Sequence, residues 1–196
     1  MNTVTGLADE FGPVRQLGHV VADIASSMAK WQAQGVGPWL WMRNVRLNCH
    51  YEGQPSRPLI DVALSYQGNT QIELIQQHNA DPSPYLATIK AGTYGLHHQA
   101  HLCADINRQT DDAVAQGYRL VCDIRMMGSR YVYLQASDGA YVELLPASLM
   151  MRSMFRRGIA ASASWRGAGQ PMVVNLRNPA TLIASLPGAA KARLSW

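Results

Sequence analysis

The sequence predicts an α+β fold of two tandem β-α-β-β-β modules forming a curled mixed sheet around one site, plus a C-terminal extension. Two observations carry this expectation. The stretches Gln16-Leu17-Gly18-His19-Val20-Val21-Ala22-Asp23-Ile24 and His98-Gln99-Ala100-His101-Leu102-Cys103-Ala104-Asp105-Ile106 both run as a short apolar strand into Asp-Ile and then a helix. Each half later closes on a glutamate inside an apolar strand, Gln71-Ile72-Glu73-Leu74-Ile75 and Tyr141-Val142-Glu143-Leu144-Leu145. Self-similarity of this kind has to be settled before any single element is assigned.

In the first module, residues 14–21 alternate as a strand, and Asp23 with Ser26 and Ser27 supplies a helix start that ends at Gly35. Gly37-Pro38 turns the chain into an aromatic-rich strand over 39–45, followed by a polar loop through Gly53, Pro55 and Pro58. Strands at 59–66 and 70–77 are joined by Gln67-Gly68-Asn69, a hairpin signal. A turn-rich linker, Asn79-Ala80-Asp81-Pro82-Ser83-Pro84, leads to a short helix over 85–90. The second module repeats the order with strands at 95–103, 118–125, 130–135 and 140–145 and a helix at 107–116. Residues 1–148 are thus read as one domain, with modules at 14–78 and 94–147. The extension, 149–196, predicts an amphipathic helix over 149–159, a small-residue stretch, a strand at 172–176 and a tail helix from Pro179. It is expected to mediate homodimerisation or to cover the cavity.

Composition narrows the function classes. With 47% apolar and 15% charged residues over 196 positions, the chain reads as an ordinary globular protein. The net charge of +4 is gathered at Arg152, Arg156, Arg157 and Arg166 rather than along an aromatic-laced stripe, which argues against a nucleic-acid partner. No run approaches the roughly 18 apolar residues of a membrane helix, and residues 1–6 lack a signal-peptide pattern, so no membrane partner and a cytoplasmic location are expected. Cys49, Cys103 and Cys122 show no C-x-x-C spacing and imply neither a disulfide framework nor a thiolate zinc site.

The duplicated module, with a histidine or glutamine on each first strand and a glutamate on each last strand, resembles the vicinal-oxygen-chelate superfamily. That superfamily includes glyoxalase I, methylmalonyl-CoA epimerase, extradiol dioxygenases and metal-free bleomycin-resistance proteins. The resemblance covers about residues 14–147. Gly68-Asn69-Thr70-Gln71-Ile72-Glu73-Leu74-Ile75 and Gly95-Leu96-His97-His98 are most similar to the epimerase, and Gly35-Val36-Gly37-Pro38-Trp39 to a glyoxalase-like subgroup. His98 precedes Asp105 by seven residues, and the residue seven before Asp23 is Gln16. Side chains three apart on a strand point to opposite faces, so Gln16 and His19 cannot both face a cavity without a bulge. The expected ligand set is Gln16, Glu73, His98 and Glu143, with His19 replacing Gln16 if a bulge turns it inward. The zinc type of glyoxalase I carries the same residue types in this order.

One imidazole and two carboxylates suit a single divalent metal ion, Zn²⁺, Mn²⁺, Ni²⁺, Co²⁺ or Mg²⁺, with positions left for substrate oxygens. Such an ion stabilises an enolate by Lewis-acid action, and the resemblance implies that Glu143 moves the proton. The positions of the two glutathione-binding arginines of glyoxalase I hold Val20 and Tyr94, which argues against glutathione. Where the epimerase has a second glutamate base this chain has Arg57, and Asp61, on the assumed inward parity with Ala63 and Ser65, is the expected substitute. Tyr133 is the other auxiliary candidate. Trp39, Trp41, Tyr133 and Tyr141 are expected to line a pocket for a small hydrophobic substrate. The leading reading is a metal-dependent isomerase, epimerase or lyase acting on a hydrophobic carbonyl or acyl thioester. The alternatives are an Fe(II) extradiol-type dioxygenase using His19, His98 and Glu143, and a metal-free small-molecule binding protein.

Overall fold

A computed structural model of the chain describes residues 11–167 and 169–176. The repeated Asp-Ile motif is a helix start in both modules. Asp23 accepts the Ser26 amide at 2.7 Å to cap α1 (Ile24–Ala33), and Asp105 accepts the Arg108 amide at 3.0 Å to cap α3 (Ile106–Ala115). Between them lies α2 (Leu86–Ala91), at the end of the linker.

The strands form one mixed sheet. The first module supplies β1 (Val14–Val20), β2 (Leu40–Arg46), β5 (Leu59–Gln67) and β6 (Thr70–Gln77). The second supplies β7 (Gly95–Cys103), β8 (Arg119–Met126), β9 (Ser129–Gln135) and β10 (Tyr141–Pro146). In each, the first strand runs parallel to the last, β1 with β6 and β7 with β10, and the modules join through the antiparallel pair β1–β7. Helices α1 and α3 pack on one face of this sheet, against β5–β6 and β8–β10.

The stretch expected as a polar loop after β2 is instead a hairpin, β3 (Asn48–Tyr51) and β4 (Gln54–Ser56). Glu52 and Gly53, at φ 48° and 77°, make its turn, and Pro55 is tolerated because β4 is an edge strand. The hairpin pairs through β3 with β8, giving the order β11-β2-β5-β6-β1-β7-β10-β9-β8-β3-β4, with β11 (Met172–Asn175) at the far edge. This order dictates the curl. Strands β2 and β3 lie near opposite ends of the sheet yet are separated by one residue, Leu47. Two residue steps span only about 7 Å, so the two ends must meet around a concave face.

The extension fills and clamps that face. Helix α4 (Leu149–Ser164) runs five residues past its expected end and inserts Met151 and Phe155 into the concave core with Val62, Leu64 and Tyr66 of β5. Gly158 is needed here: a Cβ at this position would fall inside the Tyr66 ring. The Ser162 hydroxyl donates to the Tyr66 carbonyl at 2.6 Å, and β11 then adds in parallel to β2. The tail helix expected from Pro179 lies outside the described residues. Among the described residues no helix is long and apolar enough to cross a membrane.

Candidate metal centre on the concave face

Two rungs across the middle of the sheet build the site. In one, Glu73 on β6, Gly18 on β1, His98 on β7 and Tyr141 on β10 are in register. In the next, Gln71, Gln16, Ala100, Glu143 and Tyr133 are in register. Positions two apart on a strand share a face, so Gln16 and Gly18, Gln71 and Glu73, and Tyr141 and Glu143 share the concave one. His98 Nε2 lies 3.1 Å from Glu143 Oε2 and 3.4 Å from Glu73 Oε2. The ligand atoms of Glu73, His98 and Glu143 all fall within 4.8 Å of one another. Gly18 makes this convergence possible, because a Cβ there would occupy the volume of the His98 ring.

A bulge sets the protonation of His98. One step along β1, from Gly18 to His19, corresponds to two along β7, from His98 to Leu96, so the extra residue is His97. His97 Nε2 lies 3.0 Å from the Pro84 carbonyl, and His97 Nδ1 lies 3.2 Å from His98 Nδ1. A carbonyl only accepts, so His97 Nε2 carries the hydrogen. Burial, and then the neighbouring His98, push the His97 imidazolium down to about 4, which keeps this ring neutral and its Nδ1 an acceptor. His98 Nδ1–H therefore donates to it, and a neutral His98 presents the Nε2 lone pair to the two carboxylates.

Two carboxylates facing a lone pair at this distance require a cation between them. In the metal-free chain that cation is a proton: burial pushes the His98 imidazolium down, but Glu143 and Glu73 outweigh it and hold the group up at about 9. The Glu143 carboxyl is raised above the ordinary range, chiefly by burial, with His98 opposing. Tyr133 packs edge-on to His98 at 5.1 Å, and its hydroxyl meets that of Tyr85 at 3.0 Å. Tyr85 closes the box by packing edge-on to His97 at 5.5 Å. Rings on one side and a glycine on the other hold the imidazole in place.

The donor set fits a divalent ion by what it leaves unpaired. Of the seven buried side-chain atoms without a hydrogen-bond partner among the described residues, three lie at this site: Gln16 Oε1, and Glu73 Oε2 and His98 Nε2, which meet only as an ion pair. Buried polar atoms are ordinarily satisfied, and here three unsatisfied ones belong to residues of the expected ligand set. The Gln16 amide nitrogen is already used, donating to Gln71 Oε1 at 2.7 Å. Its oxygen is the free end.

Residues 15–133 match the family described as the glyoxalase/bleomycin resistance protein/dioxygenase superfamily. The chain belongs to this superfamily. The structure resembles a hypothetical protein from Bacillus halodurans C-125, with a TM-score of 0.54 at 17% identity over 69% of this chain and 94% of that one. It also resembles methylmalonyl-CoA epimerase from Mycobacterium tuberculosis, with a TM-score of 0.51 at 18% identity over 78% and 97%. No curated protein matches the sequence.

Other candidates of this superfamily member fall elsewhere. His19 does not face inward, because the extra residue on β1 is Arg15, before Gln16, and the irregularity at Gly18/His19 is on β7; its ring packs edge-on to Trp31 of α1 at 5.5 Å, and its Nδ1 lies 3.2 Å from the Leu17 carbonyl. Asp61 is also on the helix-bearing face, since Leu64, not Ala63, is in register with Glu73. There it accepts the Asn44 amide at 2.8 Å and meets His78 Nε2 at 3.0 Å and Arg43 Nε at 3.4 Å. It anchors the irregular turn of β2 at Asn44, whose φ is 57°, and has no access to the glutamates. Trp39 and Trp41 are corrected likewise: Trp41 is in register with Ala63, and both pack with Ile24 and Met28 of α1. Tyr133 and Tyr141 do lie beside the centre, Tyr141 stacked on His97 at 4.7 Å. Gly18, Gln71, Tyr85 and His97 are site residues that sequence reasoning missed. The doubled histidine of Gly95-Leu96-His97-His98 was the one signal for a bulge.

Proposed function

We propose that the protein is a metal-dependent isomerase, epimerase or lyase of the glyoxalase-like type, moving a proton at the carbon beside a carbonyl of a hydrophobic carbonyl or acyl-thioester substrate. The observation that carries this reading is the fixed orientation of His98, whose Nδ1 is engaged by His97 and whose Nε2 lies 3.1 and 3.4 Å from two carboxylate oxygens. Gln16, Glu73, His98 and Glu143 would hold one divalent ion, with His98 oriented by His97 as metal-binding histidines are by their outer partners. A bound ion supplies Lewis acidity toward a substrate oxygen.

Glu143 is the proton carrier in this reading. Burial raises its carboxyl, which brings it closer to the acidity a base needs near neutral pH. Tyr133, in register with Glu143, keeps its own proton, because burial and the Glu143 charge push the phenol well above its ordinary value. It is placed to donate to the carboxylate or to a substrate oxygen. Asp61 lies on the other face and cannot serve as a second base, which favours a one-base isomerisation or lyase step over a two-base epimerisation. The dioxygenase reading needs His19 at the centre, and the packing of His19 on Trp31 argues against it.

Incubating a panel of α-oxo acids and acyl thioesters with the metal-loaded protein in deuterated water should produce enzyme-dependent exchange beside the carbonyl. Oxygen consumption with ring cleavage of a catechol, and no exchange, would overturn the reading.

A further inference from the structure

A second hydrogen-bond chain runs from the C-terminal helix to Gln16, and its polarity decides which end of the Gln16 amide is left free. An amide side chain offers an acceptor at one end and donors at the other. Gln71 lies between two partners: its nitrogen donates to the Tyr66 hydroxyl at 2.6 Å, and its oxygen accepts from the Gln16 nitrogen at 2.7 Å. Read the other way, with Tyr66 donating to Gln71 and Gln71 to Gln16, the same three side chains would leave a Gln16 nitrogen free. That end repels a cation.

The choice is made outside the sheet. The Tyr66 hydroxyl has one proton, and it is directed to the Met154 carbonyl of α4 at 3.5 Å. Burial raises this phenol to about 12, so the proton stays on it. With that proton committed, Tyr66 can only accept from Gln71, Gln71 can only accept from Gln16, and the Gln16 oxygen becomes the unpaired buried end. Tyr66 is fixed against α4 by three further contacts: the edge of Phe155 at 5.7 Å, the bare backbone of Gly158, and the Ser162 hydroxyl on its carbonyl.

The geometry points to Tyr66 and Gln71 as positioning residues through which the C-terminal helix holds the Gln16 carbonyl oxygen ready as a metal ligand. This rests on the metal reading above and adds that the extension acts on the centre rather than merely covering the sheet. Outer partners of metal ligands typically contribute about 10–100-fold in affinity.

The test is a Co²⁺ titration of the metal-free full-length chain, read by affinity and by the visible absorption of the bound ion. Gln71→Leu and Tyr66→Phe should weaken binding by about 10–100-fold and change the absorption bands, while the metal-free variants still fold cooperatively with melting temperatures moderately below wild type. Gln71→Glu is the conservative control. Its two oxygens only accept, so they force Gln16 to donate and should keep affinity at or above wild type, also when combined with Tyr66→Phe. Wild-type affinity and spectrum in both Gln71→Leu and Tyr66→Phe would overturn the positioning role while leaving the metal reading intact. Failure of the wild-type chain itself to bind Co²⁺ would overturn both.

Discussion

Replacing Glu143 by glutamine is expected to lower enzyme-dependent proton exchange by about 10²–10⁴-fold, the range typical for loss of a positioned general base. The substitution keeps the shape of a side chain that is 6% exposed and wedged between His98 and Tyr133, so the chain should fold. It also removes one of the two negative charges that hold the His98 proton. In the metal-free variant the His98 imidazolium should therefore titrate below the wild-type value of about 9, which histidine NMR would read. The sign follows from linkage. A histidine raised in the folded state stabilises that state fully below its unfolded value of about 6.5 and loses the contribution as pH rises through its folded value. The variant should lose part of that stabilisation at neutral pH. Exchange within tenfold of wild type would show that Glu143 is not the proton carrier.

Gly18→Ala is expected to damage the centre as much as loss of a ligand, although Gly18 supplies no ligand atom. The new methyl would occupy the volume of the His98 imidazole, and Tyr133 and Tyr85 block retreat on the opposite side. Gly18 is not among the residues with positive φ, so alanine meets no backbone strain and the whole effect is steric. Overpacking of this kind costs about 1–3 kcal/mol. A moderate drop in thermal stability together with loss of stoichiometric metal is the expected pair of results. A Gly18→Ala protein with wild-type metal content would show that His98 can bind from another position.

What the sequence made legible follows from local physics. The Asp-Ile caps fixed the starts of α1 and α3, and counting seven residues back from each cap put Gln16 and His98 on the concave face. Glu73 and Glu143 were legible because a carboxylate inside an apolar strand needs a partner. The inward parity of β5 was not legible. Ile60, Val62, Leu64 and Tyr66 alternate with Asp61, Ala63 and Ser65, but residues 60–66 are all buried, so no solvent-facing side marks which of the two sets meets the site. Asp61 was assigned to the wrong face for that reason. Trp39 and Trp41 were misplaced with it, since β2 pairs with β5 and has an irregular register between Met42 and Val45. The bulge at His97 and the arrival of Tyr85 from the linker depend on pairing between modules, and no local pattern encodes either.

Metal content of the protein, prepared without chelator or nickel resin and then titrated with Zn²⁺, Mn²⁺ and Co²⁺, decides whether Gln16, Glu73, His98 and Glu143 form a metal centre. One divalent ion per chain is expected in the wild type and in His19→Ala, and loss of stoichiometric binding in both Glu73→Ala and Glu143→Ala. Full retention of metal in the two glutamate variants, or its loss on replacing His19, would contradict this ligand set.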